Sequence, residues 1–195
     1  MTDFKKASGK EEISDESTSI KAKDKNPENE MEKGTEKEIE IKTKNHRTLL
    51  ERYEQRLKDL DPELITPEDE IALKEAFIHA KETFEPEELV SWFTVKAEPF
   101  YRSVSWKVLL PLYEEMLGIV EKKPGSESPE TASVLNGLAG IYRYMGNYDE
   151  ALKLFSRALK IRENLPDQPR PETGNTLGEL GILYTLMDRR EEALS

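Results

Sequence analysis

The chain has no cysteine among its 195 residues. A disulfide framework, thiolate catalysis and any cysteine-based metal site are thereby excluded. Histidine is nearly as scarce, with only His46 and His79 on separate segments. No spacing suggests a Ser/His/Asp set, so neither a metal nor a catalytic role is expected for either ring. Long apolar runs are missing too. No stretch approaches the length needed to span a bilayer, and Met1–Ile20 lacks the continuous apolar core of a signal peptide. A soluble, cytoplasmic protein is expected. Positive charge is in deficit, with 29 Lys and Arg against 40 Asp and Glu and a formal charge of −11. An acidic chain repels phosphate backbones and anionic lipids, so no nucleic acid and no membrane are expected as partners.

Charge is abundant at the N-terminus. Residues 1–46 carry 22 charges of nearly balanced sign and few apolar side chains. Such a segment buries too little apolar surface to offset chain entropy, so residues 1–46 are expected to be a disordered charged tail, a solvating spacer.

Every credible element beyond it is a helix. Leu49, Leu50, Tyr53, Leu57 and Leu60 keep a three-to-four residue spacing that Asp61-Pro62 closes. Thr66-Pro67-Glu68-Asp69 places an N-cap, a first-turn proline and acids at a helix start. Leu73, Ala76, Phe77, Ala80 and Phe84 then form one face. Pro86-Glu87-Glu88 opens another helix, with Leu89, Phe93 and Ala97 inward. Residues 47–105 are expected to be a helical region that caps one end of the domain.

Residues 129–153 and 171–195 repeat one pattern 42 positions apart, with ten identities in 25 positions and no gap. Pro129-Glu130-Thr131 returns as Pro171-Glu172-Thr173. Leu135, Leu138 and Tyr142 return as Leu177, Leu180 and Tyr184, and Glu150-Ala151-Leu152 as Glu192-Ala193-Leu194. A fixed period of this size marks a solenoid, whose units bury their apolar faces only against their neighbours. Sliding back another 42 positions sets Trp106 under Tyr148, Leu112-Tyr113 under Leu154-Phe155, and Ile119 under Ile161. The first half of that upstream unit, 87–104, matches poorly: Phe93, Ala97 and Phe100 are its core counterparts, and Pro99 is expected to interrupt them. In the regular unit, Ser128-Pro129-Glu130-Thr131 starts the first helix, Gly146 suits its left-handed end, and Tyr148 opens the second. The inward residues of that second helix are Ala151, Leu152, Phe155, Ala158, Leu159 and Ile161.

Leu135-x-x-Leu138-Ala139-x-x-Tyr142, Gly146-Asn147-Tyr148 and Ala151-x-x-x-Phe155-x-x-Ala158 resemble a tetratricopeptide repeat. The 42-residue period, Pro129-Glu130-Thr131-Ala132 and Leu110-Pro111-Leu112-Tyr113 are similar to the kinesin-light-chain type, with Pro111 expected near a first helical turn. The resemblance covers residues 106–195. It implies an all-α fold: a right-handed α-solenoid of helix-turn-helix repeats with a helical N-terminal cap. It also implies a concave groove, lined by first helices, that binds a protein or peptide. A regulatory or assembly subunit of an enzyme complex is the alternative, as is a fragment of a longer array. No enzyme activity and no cofactor are implied.

Positions of the first helices away from the apolar face are the candidate groove. They are Ser133, Asn136, Gly140 and Arg143, with the equivalents Asn175, Gly178, Ile182 and Thr185. Asn136 is suited to an extended peptide backbone and Arg143 to an acidic side chain. Some members of this family hold a chaperone's terminal carboxylate in a Lys/Arg/Asn clamp. Only Arg143 is basic among these positions, so that clamp is not expected. Gly174-x-x-x-Gly178-x-x-Gly181 mimics a nucleotide loop but lacks a preceding strand and falls on plain helix positions of the unit before. The third unit is expected to turn after Met187 and to stop six residues into its second helix, stripping cover from Leu177, Leu180, Leu183 and Tyr184. An uncapped end of that kind invites self-association.

Overall fold

The computed structural model describes the backbone of residues 27–166 and 171–194 and the side chains of residues 38–166 and 171–188. The described residues are helical, without a strand. The chain divides into two compact units, residues 1–38 and 39–195, and the side-chain contacts described below lie in the second.

Helix α1 (Pro27–Arg56) corrects the expected disordered tail over 27–46; residues 1–26 lie outside the described residues. Its composition explains the difference. Pro27 stands at the first helical position, and Lys and Glu are strong helix formers spaced i,i+4 at Glu38/Lys42 and Glu40/Lys44. Helicity there is local: Ile39 and Ile41 are exposed, and burial begins only at Leu50 and Leu57. A short 3₁₀ turn (Pro62–Leu64) leads to α2 (Pro67–Ala80). The Thr66 hydroxyl accepts from the Asp69 amide while the Asp69 carboxylate accepts from the Thr66 amide, a reciprocal capping box. Ala72, Leu73, Ala76, Phe77 and Ala80 form its buried face.

Three helix pairs or part-pairs follow: α3 (Pro86–Arg102) with α4 (Trp106–Val120), α5 (Pro129–Tyr144) with α6 (Tyr148–Asn164), and α7 (Pro171–Leu194). The first helices α3, α5 and α7 touch in succession, and each second helix lies between its own first helix and the next. This is an all-α repeat stack. Its largest core runs from Leu50 to Ile141 and is rich in aromatics, with Phe77, Phe93 and Phe100 fully buried. Two smaller cores continue it: Leu135, Ala132, Ala158 and Ile161 between α5 and α6, and Ala139, Ala151, Phe155, Leu180 and Leu183 where α7 joins.

Pro99 does not interrupt the degenerate unit. It sits inside α3, and Phe93, Ala97 and Phe100 are all buried on the helix around it. The turn that follows shares three backbone hydrogen bonds with the regular one, among them Ser103 N–H to Pro99 O, as Met145 N–H to Ile141 O. Ser105 N–H donates to Phe100 O at 3.0 Å, as Asn147 N–H does to Tyr142 O at 2.8 Å. Leu109 donates to Ser105 O as Ala151 does to Asn147 O. Each pair is 42 residues apart. At the left-handed position Gly146 has φ 75°, and Val104 has φ 65°. Pro111 lies at the sixth position of α4 rather than in its first turn, with its ring exposed, so α4 forgoes one interior hydrogen bond.

The third turn is absent. Asp188-Arg189-Arg190 stands where the regular unit has Gly146-Asn147-Tyr148, and α7 runs on to Leu194 as one helix. Without a residue that tolerates positive φ or an aromatic to seat a second helix, the chain continues the helix it has begun. The expected loss of cover is half realised. Leu177 and Tyr184 are each 52% exposed, whereas Leu180 and Leu183 are buried against α6.

Candidate functional site

A cleft of about 330 Å³ crosses the N-terminal ends of the three first helices. Glu87, Val90 and Ser91 come from α3, Pro129, Glu130 and Ser133 from α5, and Glu172 from α7; Arg162 and Leu165 close it from α6 and its C-cap. Proline at the first position starts each of these helices, so their unpaired amide ends share one edge of the stack. The rim is acidic, with Glu87, Glu130 and Glu172 at it.

Arg162 is the buried cation beneath. Its guanidinium donates to Glu172 O at 2.7 Å and to the Thr176 hydroxyl, and lies 3.5 Å from both Asn136 Oδ1 and Ser133 Oγ. Thr176 in turn donates to Asn136 Oδ1 at 3.0 Å. One side chain of α6 thus ties α5 to α7. Burial lowers the Arg162 pKa, opposed by the Glu172 carboxylate, and at five donors the group remains a cation suited to a carbonyl-lined seam.

The residues expected to line the groove fall into three settings. Ser133 lines the cleft, although its hydroxyl also donates to Pro129 O at 2.9 Å. Asn136, Gly140 and Arg143 lie at seams between helices. Asn136 accepts from Thr176. A methyl group at Gly140 would collide with the Tyr101 hydroxyl of α3, so glycine is what allows α3 and α5 to approach. Arg143 Nη2 lies 3.1 Å from Glu179 Oε2 of α7, an ion pair by distance whose angle falls short of a hydrogen bond, and its guanidinium caps the Tyr144 ring at 4.3 Å. Only 12% of the Arg143 side chain is exposed. Asn175 and Gly178 are exposed on α7, and Gly178 faces open space.

Around Arg143, α3, α4 and α5 carry an aromatic group. Tyr101 and Tyr144 meet edge to face at 5.6 Å, and Trp106 stacks on Tyr144 at 5.9 Å. Tyr101 donates to Gly137 O at 3.0 Å, and burial pushes its phenol far above the ordinary range, with Tyr113 nearby adding to the shift. Burial likewise pushes Tyr113 up to about 12. Neither phenol ionises near neutral pH, so both pack as neutral groups, and Tyr101 is also a donor.

Sequence reading passed over Glu87, Ser91, Glu130, Arg162 and Glu172. A signal existed for two of them. Ser91 is Ser133 shifted by 42, and Arg162 replaces Val120 at the equivalent place, a polar mismatch within an apolar register. Among the described residues no group of His, Asp and Glu is arranged to hold a metal ion, and no helix is long and apolar enough to cross a membrane.

Comparison with known proteins bears on the fold. The tetratricopeptide-repeat family model matches residues 109–164 and 130–195. A solved structure, BtubC (BKLC) from P. vanneervenii, superposes with a TM-score of 0.52 at 19% identity, over 75% of this chain and 66% of that one. No match is found among curated proteins. From the 42-residue period, the paired helices with their shared turn and the family-model matches, residues 109–195 form tetratricopeptide repeats.

Proposed function

We propose that this protein is a non-catalytic binding module whose first helices receive an extended, basic peptide segment of a partner protein. Tetratricopeptide repeats are generally protein–protein interaction modules. The observation that carries the reading is a row at 42-residue spacing across α3, α5 and α7: Ser91, Ser133 and Asn175. Short polar groups at one height on three successive helices suit the repeating amides and carbonyls of an extended chain. The acidic rim of Glu87, Glu130 and Glu172 favours Lys or Arg in the bound segment and sets a salt-sensitive association rate.

Blocking the cleft tests this. A random peptide library enriched in Lys and Arg is panned against the protein and against Ser91→Trp/Asn175→Trp, both at exposed positions. Selected peptides are expected to lose at least about tenfold in affinity for the blocked variant, which corresponds to about 1.4 kcal/mol. Equal binding to both would sink the site, and a pool without basic enrichment would sink the partner chemistry.

The exposed side of α7 supports a second contact, self-association through Leu177, Ile182 and Tyr184. Light scattering that shows a strict monomer at high micromolar concentration would remove it.

A further inference from the structure

His46 of α1 and His79 of α2, distant in sequence, meet ring to ring. Their Nδ1 atoms lie 2.9 Å apart and their centroids 5.1 Å apart, in a half-buried setting. Tyr53, also on α1, stacks on His79 at 5.9 Å with an interplanar angle of 19°. A hydrogen bond between two Nδ1 atoms needs one ring to donate and the other to accept. With both rings neutral this works. A first proton enters at the donor ring's Nε2, leaves the bond in place and makes it charge-assisted. A second proton must enter at the accepting Nδ1, which removes the acceptor and sets two cations face to face.

We propose that this pair is an acid-sensitive latch that holds the segment of α1 around His46 against α2 and releases it when both rings are charged. The charged groups one helical turn from the pair are Lys42 on α1 and Glu75 and Glu82 on α2, and Lys81 beyond is tied to Glu115 of α4. Release is confined to the start of the helix in this unit. From Leu50 on, α1 is held by buried Leu50 and Leu57, by Trp92 Nε1–H donating to Glu54 at 2.6 Å, and by the Arg56–Asp69 ion pair at 2.9 Å. Before Leu50 the exposed Ile39, Ile41 and Leu49 offer little to replace the latch.

The absence of cysteine makes the test direct. Spin labels at Lys44→Cys on α1 and Lys107→Cys on α4, both exposed, report the distance in the full chain. Between pH 7.5 and 5.0 a longer, broader distance is expected to appear. In the one-proton limit its population should rise about tenfold per pH unit. His46→Asn and His79→Asn each keep an amide partner that a charged imidazole can still meet, so both are expected to stay at the short distance across this range. An unchanged distance in the parent protein would overturn the latch. So would the same acid lengthening in the Asn variants. If one variant is undocked at pH 7.5, the reciprocal variant decides.

Discussion

The turn between α3 and α4 and the turn between α5 and α6 share three backbone hydrogen bonds and a left-handed residue at the same place, yet one is built on Val104 and the other on Gly146. The contrast shows what makes the repeat. Backbone connectivity and the buried faces on either side impose the turn, and glycine only lowers its cost. The third unit marks the limit of that rule. With Asp188 at the turn position and a charged pair following, the helix runs on to Leu194.

The largest test of the comparison lies in the cores. Phe100 is fully buried, whereas its counterpart Tyr142 is half-buried and reaches Glu114 at 3.4 Å. Phe100→Ala is expected to cost about 3–5 kcal/mol by cavity formation, read from urea midpoints at constant slope. Tyr142→Ala should cost roughly 1–2 kcal/mol. Equal costs would mean that the degenerate unit is no better packed than the regular one.

Close approach gives the next effect. Gly140→Ala places a methyl group on the Tyr101 hydroxyl and should destabilise by about 1–3 kcal/mol. Gly178→Ala, facing open space in α7, should stabilise by about 0.5–1 kcal/mol. Thermal midpoints moving in opposite directions are the expected signature, and a shift of the same sign in both would break it.

Exchanging the turn residues comes third. Gly146→Val should cost about 1–3 kcal/mol, because a β-branched residue must then adopt positive φ. Val104→Gly should stabilise by about 0.5–1 kcal/mol, since relief of strain outweighs the freedom glycine adds to the unfolded chain. A destabilised Val104→Gly protein would show that the valine side chain, though exposed, is needed there.

A last effect lies outside the repeats, in the capping box of α2. Burial alone would push the Asp69 pKa up. Hydrogen bonds from the Thr66 hydroxyl and amide and the Arg56 guanidinium outweigh it and hold the carboxyl below the usual Asp range. A carboxyl lowered on folding stabilises above its unfolded pKa and loses that contribution as pH falls through the folded one. Asp69→Asn is therefore expected to cost about 1 kcal/mol at pH 7 and progressively less between pH 4 and pH 2. A stability gap that stays constant with pH would assign the effect to packing.

Much of this was legible in the residues. The echo at 42 positions marked α5, α6 and the start of α7, because solenoid units bury equivalent apolar positions. Thr66 and Ser128 announced their helices and cap them as expected. The helix through Pro99 was not legible, since proline opposes helix locally while the buried Phe93, Ala97 and Phe100 outweigh it from the core. Residues 27–46 were read from their lack of an apolar stripe, which predicts burial but not local helicity. Ser133 was placed from register alone, and it lines the cleft. Asn136 and Arg143 were assigned to a ligand because they lie off the apolar face, but that face is also where consecutive first helices meet. Their partners lie within the protein, Thr176 through a hydrogen bond and Glu179 through an ion pair. Register identifies which face a residue shares and leaves open whether a neighbouring helix or solvent lies opposite.

Arg162 gives the cleft a mechanical character. The bonds beneath its floor are the ones that hinge α5 to α7. A segment lying there would rest on the joint itself, so occupancy would stiffen the array against bending, and bending the array would squeeze whatever it holds.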